Sequence, residues 1–207
     1  MLIKAIEVGY LQTNCYVVMD EETFDTAVID PGADSNKILE YLEDHHCQVR
    51  AILLTHAHFD HCMGLEEVYE ECKAPVYMSH RDLNTDIGNS FFGVNFELDP
   101  PDDTHFVQEG DEIQAGSLTF DVLETPGHTP GGLTFRCGDC LFTGDTLFRR
   151  SVGRYDFPGS DALELGHSLE KLRDLPGDYE VYPGHESSTS LEHERRFNPY
   201  MLAPWQL

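Results

Sequence analysis

The sequence predicts an α+β fold, a four-layer αβ/βα sandwich in which two mixed β-sheets pack face to face and carry helices on their outer faces. Three observations lead there. Two sets of strand-like runs occur, one in the first third of the chain and one between Glu112 and Thr143, and each is followed by segments of helical periodicity. No internal repeat and no linker separates them, so residues 1–207 read as one domain. A globule of this length buries about 70% of its unfolded surface, enough for a core that needs no disulfide staples.

Ile3 to Val8, Asn14 to Met19 and Thr26 to Ile29 read as the opening strands, ending at Asp30-Pro31-Gly32. Ser35 suits a helix cap, and Ile38, Leu39 and Leu42 recur at three- and four-residue steps, predicting a helix to about His46. Val49 to Leu54 is an apolar strand, and Leu65, Val68, Tyr69 and Cys72 give the next helical stripe. Ala74 to Met78 is a short strand and Ser79 to Asn84 a helical turn. From Thr85 to His105 the pattern fails, with Gly88, Gly93, Pro100 and Pro101 as breakers and Phe91, Phe92 and Phe96 among acids. Residues 85–105 are thus a candidate lid, whose phenylalanines either contact substrate or pin the loop to the core. Glu112 to Ala115, Leu118 to Leu123, Leu133 to Cys137 and Cys140 to Thr143 are the second strand set. Leu163, Leu165, Leu169 and Leu172 mark a helix before the strand Tyr179 to Tyr182, and Leu191 to Phe197 is the last helix. Cys137-Gly138-Asp139-Cys140 has the spacing of half a zinc knuckle but reads better as a two-residue hairpin turn.

The charge balance narrows the partners. With 38 acidic against 13 basic residues the net charge is −25, a surface that repels phosphate backbones and anionic membranes. Neither nucleic acid nor membrane is an expected partner. A small anionic substrate stays compatible, because a local arginine cluster can reverse the field inside one cleft. Met1 to Glu7 lose apolar character too early for a signal peptide, and no run approaches the roughly 18 apolar residues of a membrane span. The expected compartment is the cytoplasm, with all six cysteines reduced.

Chemistry concentrates in Thr55-His56-Ala57-His58-Phe59-Asp60-His61, where four metal-capable side chains follow directly on the apolar run Ala51 to Leu54. In extended backbone, residues two apart face the same way, so His56 and His58 can share one ion as neutral imidazoles. Asp60 and His61 come after the chain bends and aim elsewhere, which suits a second ion. Surface histidines or loop caps are the plainer reading, but imidazoles and a carboxylate seldom cluster so densely without a metal. Cys62 either reaches a metal or packs at the helix start.

Three further turns repeat this logic: Thr125-Pro126-Gly127-His128-Thr129-Pro130-Gly131-Gly132, Phe142-Thr143-Gly144-Asp145-Thr146-Leu147-Phe148, and Tyr182-Pro183-Gly184-His185-Glu186. Each puts a ligand-type residue on a glycine-marked turn beside a strand, where the backbone can approach an ion closely. In this order behind HxHxDH, the sequence resembles the metallo-β-lactamase fold superfamily, and within it the short, single-domain form of the glyoxalase II (hydroxyacylglutathione hydrolase) group. The resemblance runs from Thr13-Asn14-Cys15 and Asp30-Pro31-Gly32 to Asn198-Pro199.

That resemblance implies a first divalent ion on His56, His58 and His128, a second on Asp60, His61 and His185, and Asp145 bridging the two. Zinc is the expected metal, and iron or manganese suits the same ligands. The implied activity is hydrolysis of a small-molecule thioester, an S-2-hydroxyacylglutathione or a relative of it, by a hydroxide held between the ions. Asp60 would orient that hydroxide and accept its proton, and a thiolate leaving group needs no general acid. Gly153-Arg154-Tyr155-Asp156-Phe157 is similar to the GR-x-DF segment of the short forms. Arg154, with Tyr155, is the expected contact for a substrate carboxylate; a salt bridge from Arg154 to Asp156 or Glu186 is the alternative. Arg149 and Arg150 nearby read as solvated charges. The basic C-terminal helical extension with which full-length glyoxalase II grips glutathione has no counterpart after His193-Glu194-Arg195-Arg196.

The main rival is a persulfide dioxygenase with one iron on His56, His128 and Asp145. Such enzymes tend to have Cys-Gly-Arg-Thr-Asp where this chain has Val152-Gly153-Arg154-Tyr155-Asp156. A lactonase or β-lactamase comes third. A ribonuclease of the superfamily would need a basic face, and a binding protein of this fold would show gaps in the ligand set.

Overall fold

Period-two alternation along the strands sorts the apolar side chains into three packed layers. The computed structural model describes residues 1–83, 85–89 and 93–203. Its first sheet opens with the antiparallel strands β1 (Leu2–Val8), β2 (Thr13–Met19) and β3 (Asp25–Ile29). It continues in parallel through β4 (Gln48–Leu53), β5 (Val76–Met78) and β6 (Thr104–Phe106), with α1 (Ser35–Asp44), α2 (Phe59–Cys62) and α3 (Leu65–Cys72) in the crossovers. In the second sheet β7 (Glu112–Ala115), β8 (Leu118–Glu124), β9 (Leu133–Cys137) and β10 (Cys140–Gly144) run antiparallel. A small hairpin, β11 (Leu147–Phe148) with β12 (Ser151–Val152), and the helix α4 (Ala162–Arg173) follow. β13 (Glu180–Pro183) then joins the second sheet parallel to β10, and β14 (Thr189–Ser190) closes its edge. Two short helices, α5 (Leu191–Phe197) and α6 (Pro199–Leu202), end the described chain.

Val17, Val28 and Ile52 face outward beneath α1 and α3. Their neighbours Val18, Ala27, Ile29, Ala51 and Leu53 face inward, against Phe120, Val122, Phe135 and Phe142 of the second sheet. Leu123, Leu141 and Val181 turn out again to meet Leu165, Leu169 and Leu172 of α4. Because successive strand residues point to opposite faces, each sheet feeds two of these layers, and the four-layer sandwich follows. No helix among the described residues is long and apolar enough to cross a membrane.

Local differences from the sequence reading have physical causes. Ser35 begins α1 rather than capping it; the cap is Asp34, left-handed at φ 48, whose carboxylate accepts the Gly9 N–H instead of capping the helix. Thr104–Phe106 forms a strand at the end of the expected irregular stretch, paired with β5. Phe96 and Leu98 of that stretch pack on the outer layer beneath α1 and α3, whereas Phe91, Phe92 and Asn84 lie outside the described residues. Gly138 takes φ 55 in the β9–β10 hairpin turn, and all six cysteines are free thiols.

Candidate metal centre

Both sheets deliver side chains to one edge of the sandwich. β4 ends at Leu53, the chain bends at Thr55, and His58 sits extended at φ −65, ψ 145 before α2 begins. His56 and His58 precede α2, and Asp60 and His61 fall in its first turn, so the two pairs come from different backbone, as the spacing predicts. His128 comes from the β8–β9 connection, Asp145 follows β10, and His185 follows β13.

The ligand atoms of His56, His58 and His128 lie within 4.8 Å of one another, and so do those of Asp60, His61 and His185. Asp145 stands between the groups: its Oδ2 is 3.4 Å from His128 Nε2 and 3.5 Å from His185 Nε2, and its Oδ1 is 3.4 Å from His61 Nε2. Close approach is possible because Gly184 has no side chain. A Cβ there would lie 2.2 Å from Asp145 Oδ1 and 2.7 Å from His61 Cε1. Gly32 is tighter still, since a Cβ would lie 1.6 Å from the Asp60 carbonyl oxygen.

Each histidine is held by its other ring nitrogen, and that bond sets the tautomer. Carbonyl oxygens only accept, so His58 Nε2–H donates to Ile87 O (2.6 Å), His128 Nδ1–H to Arg154 O (2.7 Å) and His185 Nδ1–H to Leu11 O (3.2 Å). The Thr55 hydroxyl donates to Asp30 Oδ2 (2.6 Å) and thus accepts from His56 Nδ1–H (3.0 Å). His61 Nδ1–H donates to the same Asp30 oxygen (2.9 Å), so one buried carboxylate orients a histidine of each group.

The consequence is a meeting of lone pairs. His58 Nδ1 lies 3.0 Å from His56 Nε2 and 2.9 Å from His128 Nε2, with the ring protons all on the far nitrogens. Burial lowers the pKa of all three, well down for His56 and to about 4 for His128, so at neutral pH no proton is available to sit between them. His61 Nε2 of the second group and Asp145 Oδ1 between the groups are buried without a hydrogen-bond partner among the described residues. A buried polar atom left so costs about 1–3 kcal/mol. A cation satisfies all of these atoms, and a donor set of nitrogen and carboxylate oxygen fits a divalent transition metal.

Burial would raise the pKa of Asp60, but His61 and His185 hold it at about 2. The Thr13 hydroxyl also donates to Asp60 Oδ2 at 2.7 Å. Neighbouring Asn14 ties down the His185 loop, donating from its side chain to Pro183 O (3.1 Å) and Glu186 O (2.9 Å), and Tyr16 OH adds a bond to Pro183 O (2.6 Å).

The two residues expected to touch substrate lie on the loop after β12. Arg154 is half exposed, forks onto Asp156 with bonds of 2.9 and 2.8 Å, and stacks over Phe157 with its guanidinium carbon 4.2 Å from the ring centroid. Tyr155 packs against the layer under α4. Phe157 itself faces the site, edge-on to His58 and His128 at 5.9 Å each. Cys62 is buried with its thiol on His56 O. Of the candidate lid, Thr85 to Asn89 are fastened to the histidine loop: Ile87 holds His58, and Asn89 Oδ1 accepts the Phe59 N–H at 3.0 Å.

The chain is similar to known proteins along nearly all of its length. Residues 8–185 match the family model of the metallo-beta-lactamase superfamily. An uncharacterized protein of Aquifex aeolicus is 40% identical over 206 residues, 97% of each chain. The hydroxyacylglutathione hydrolase GloC of Haemophilus influenzae is 31% identical over 210 residues, 97% of this chain and 98% of that one. Among solved structures, the B3 metallo-beta-lactamase BLEG-1 superposes with TM-score 0.88 at 32% identity, over 97% of this chain and 99% of the other. ETHE1 from Myxococcus xanthus superposes at 0.81 and 31%, over 97% and 84% of the two chains. TTHA1623, solved in a di-iron-bound form, superposes at 0.83 and 38%, over 95% and 99%. With its histidine and aspartate cluster and matches along nearly all of its length, the chain belongs to the metallo-beta-lactamase superfamily, a metal-binding hydrolase by family.

Proposed function

We propose that the chain is a binuclear thioesterase of the glyoxalase II kind, cleaving a small-molecule thioester such as an S-2-hydroxyacylglutathione. The observation that carries this reading is the pair of three-residue ligand groups on either side of Asp145. Full-length similarity to a hydroxyacylglutathione hydrolase supports the substrate class. Zinc, iron or manganese, when bound to these groups, lowers the pKa of water towards neutrality and polarises a carbonyl oxygen.

The chain's own residues do the rest. Asp60 remains a carboxylate at neutral pH, and with Oδ2 fixed by Thr13 it orients the attacking water and takes its proton. The water oxygen bonds to the acyl carbon, the carbon–sulfur bond breaks, and the sulfur leaves as thiolate, a weak enough base to need no acid. Phe157 covers His58 and His128 and keeps bulk water from that side of the site. Arg154 receives a substrate carboxylate, which competes with Asp156 for the guanidinium fork.

The test is metal content per chain, by elemental analysis of protein purified without added metal, followed by turnover of S-lactoylglutathione on the same sample. About two ions per chain with hydrolysis is the expected result. One iron per chain, no hydrolysis, and oxygen uptake with glutathione persulfide would replace this reading with the dioxygenase.

A further inference from the structure

Asp82 is a buried carboxylate outside both ligand groups, and it touches two of the loops that carry ligands. Its Oδ2 accepts the N–H of Ala57, the residue between His56 and His58, at 3.0 Å, and the hydroxyl of Thr129 at 2.9 Å. Its Oδ1 accepts the Gly131 N–H at 2.6 Å. Thr129 and Gly131 follow His128 on its turn, and a side chain at Gly131 would meet Asp82 Oδ1 at 2.6 Å, so the turn is shaped to the carboxylate. Asp82 itself is 5% exposed, on a 3-10 turn (His80–Asp82) that Ser79 caps.

All three donors are groups that only a carboxylate can satisfy together. An aspartate offers two oxygens and no proton, whereas an amide would turn N–H bonds toward at least one of them. The segment downstream adds to the hold: Ile87 O fixes the His58 ring, and Asn89 Oδ1 takes the Phe59 N–H. Among the described residues, nothing comparable links Asp82 to the other group. Asp60 is steadied by Thr13, His61 by Asp30, and His185 by Leu11 O, with Asn14 fastening the carbonyls on either side of it.

We propose that Asp82 is a positioning residue for the three-histidine metal group alone, a clamp that joins the His56–His58 loop to the His128 turn so that their ring nitrogens converge. The start of the stretch 85–105 then acts as the outer arm of this clamp.

Cobalt(II) binding to the purified metal-free protein tests this, read by the visible absorption of the bound ion and by chelator competition. Two backgrounds isolate the groups: His185→Ala retains only the three-histidine group intact, and His128→Ala retains only Asp60, His61 and His185. In the His185→Ala background, Asp82→Asn is expected to weaken cobalt binding by about 10- to 100-fold, the usual effect of losing an outer-shell partner. In the His128→Ala background it is expected to change nothing. Thr129→Val, which removes one of the three donors and keeps the side-chain shape, provides a milder variant and is expected to give a smaller loss in the first background only. Equal losses in both backgrounds would make Asp82 a residue of general stability and overturn the proposal. Wild-type affinity in the His185→Ala background would overturn it as well.

Discussion

At the scale of single residues, the metal-free site is an arrangement of charges that substitutes for the cation. Burial disfavours protonated His61 and His185, but Asp60, Asp145 and, for His61, Asp30 outweigh it, raising His61 well above its usual value and His185 to about 10. A histidine whose folded pKa is raised contributes stability fully below its unfolded value of about 6.5, and loses it as pH rises through the folded pKa. His56, His58 and His128 run the other way, because burial lowers their folded pKa, to about 4 for His128, and their unfolded forms gain protons as pH falls below about 6.5. Chelator-treated protein should therefore melt highest near pH 6.5, and lower both towards pH 4 and towards pH 10. Differential scanning calorimetry across that range checks this. A flat alkaline arm would mean that His61 and His185 are neutral in the metal-free fold. That these seven side chains belong together was legible in the sequence, since HxHxDH and Gly-His or Gly-Asp turns are local patterns. Asp30, Thr13 and Asp82 were not, because an ordinary acidic or hydroxyl residue on a turn acquires its role only from partners brought near by folding.

Among the elements, β2 does the most for the site. It is buried along its whole length and places Thr13 against Asp60 and Asn14 and Tyr16 against the turn before His185. Asn14→Ala removes two hydrogen bonds, one to Pro183 O, which keeps the Tyr16 hydroxyl, and one to Glu186 O, each worth about 1 kcal/mol. A loss of about 2 kcal/mol in this size class lowers Tm by roughly 4–8 °C. A thermal melt of the metal-free variant gives the number, and a shift below 1–2 °C would show that water replaces the amide. The strand was legible from its apolar run, as were α1, α3 and α4 from their periodicity. β11, β12 and β14 span two residues each, too few to display any period, and they exist because the hairpin and the sheet edge supply their partners.

For the whole molecule, a net charge of −25 means that folding gathers like charges, and the sandwich carries that repulsion on its surface. Raising sodium chloride from about 20 to 200 mM shortens the screening length severalfold and should raise Tm of the chelator-treated protein by a few degrees. A lower Tm in salt would show that the favourable surface pairs, Arg50 with Asp25 and Lys171 with Glu109 among them, outweigh the net repulsion. The sandwich as a whole was legible because both strand sets announce themselves, but which edge gathers the ligands was not, since that depends on how the two sheets face each other.

The bonds from Asn14 to the turn around His185 also set a clock for biogenesis. They join positions 169 and 172 residues apart in the chain. A ribosome adding about 5–20 residues per second leaves Asn14 waiting roughly 10–30 s for its partner to emerge. Through that interval Asp60 and His61 are already made, but His185, the third member of their group, is not. The nascent chain therefore holds His56, His58 and His128 before it can offer the complete second group.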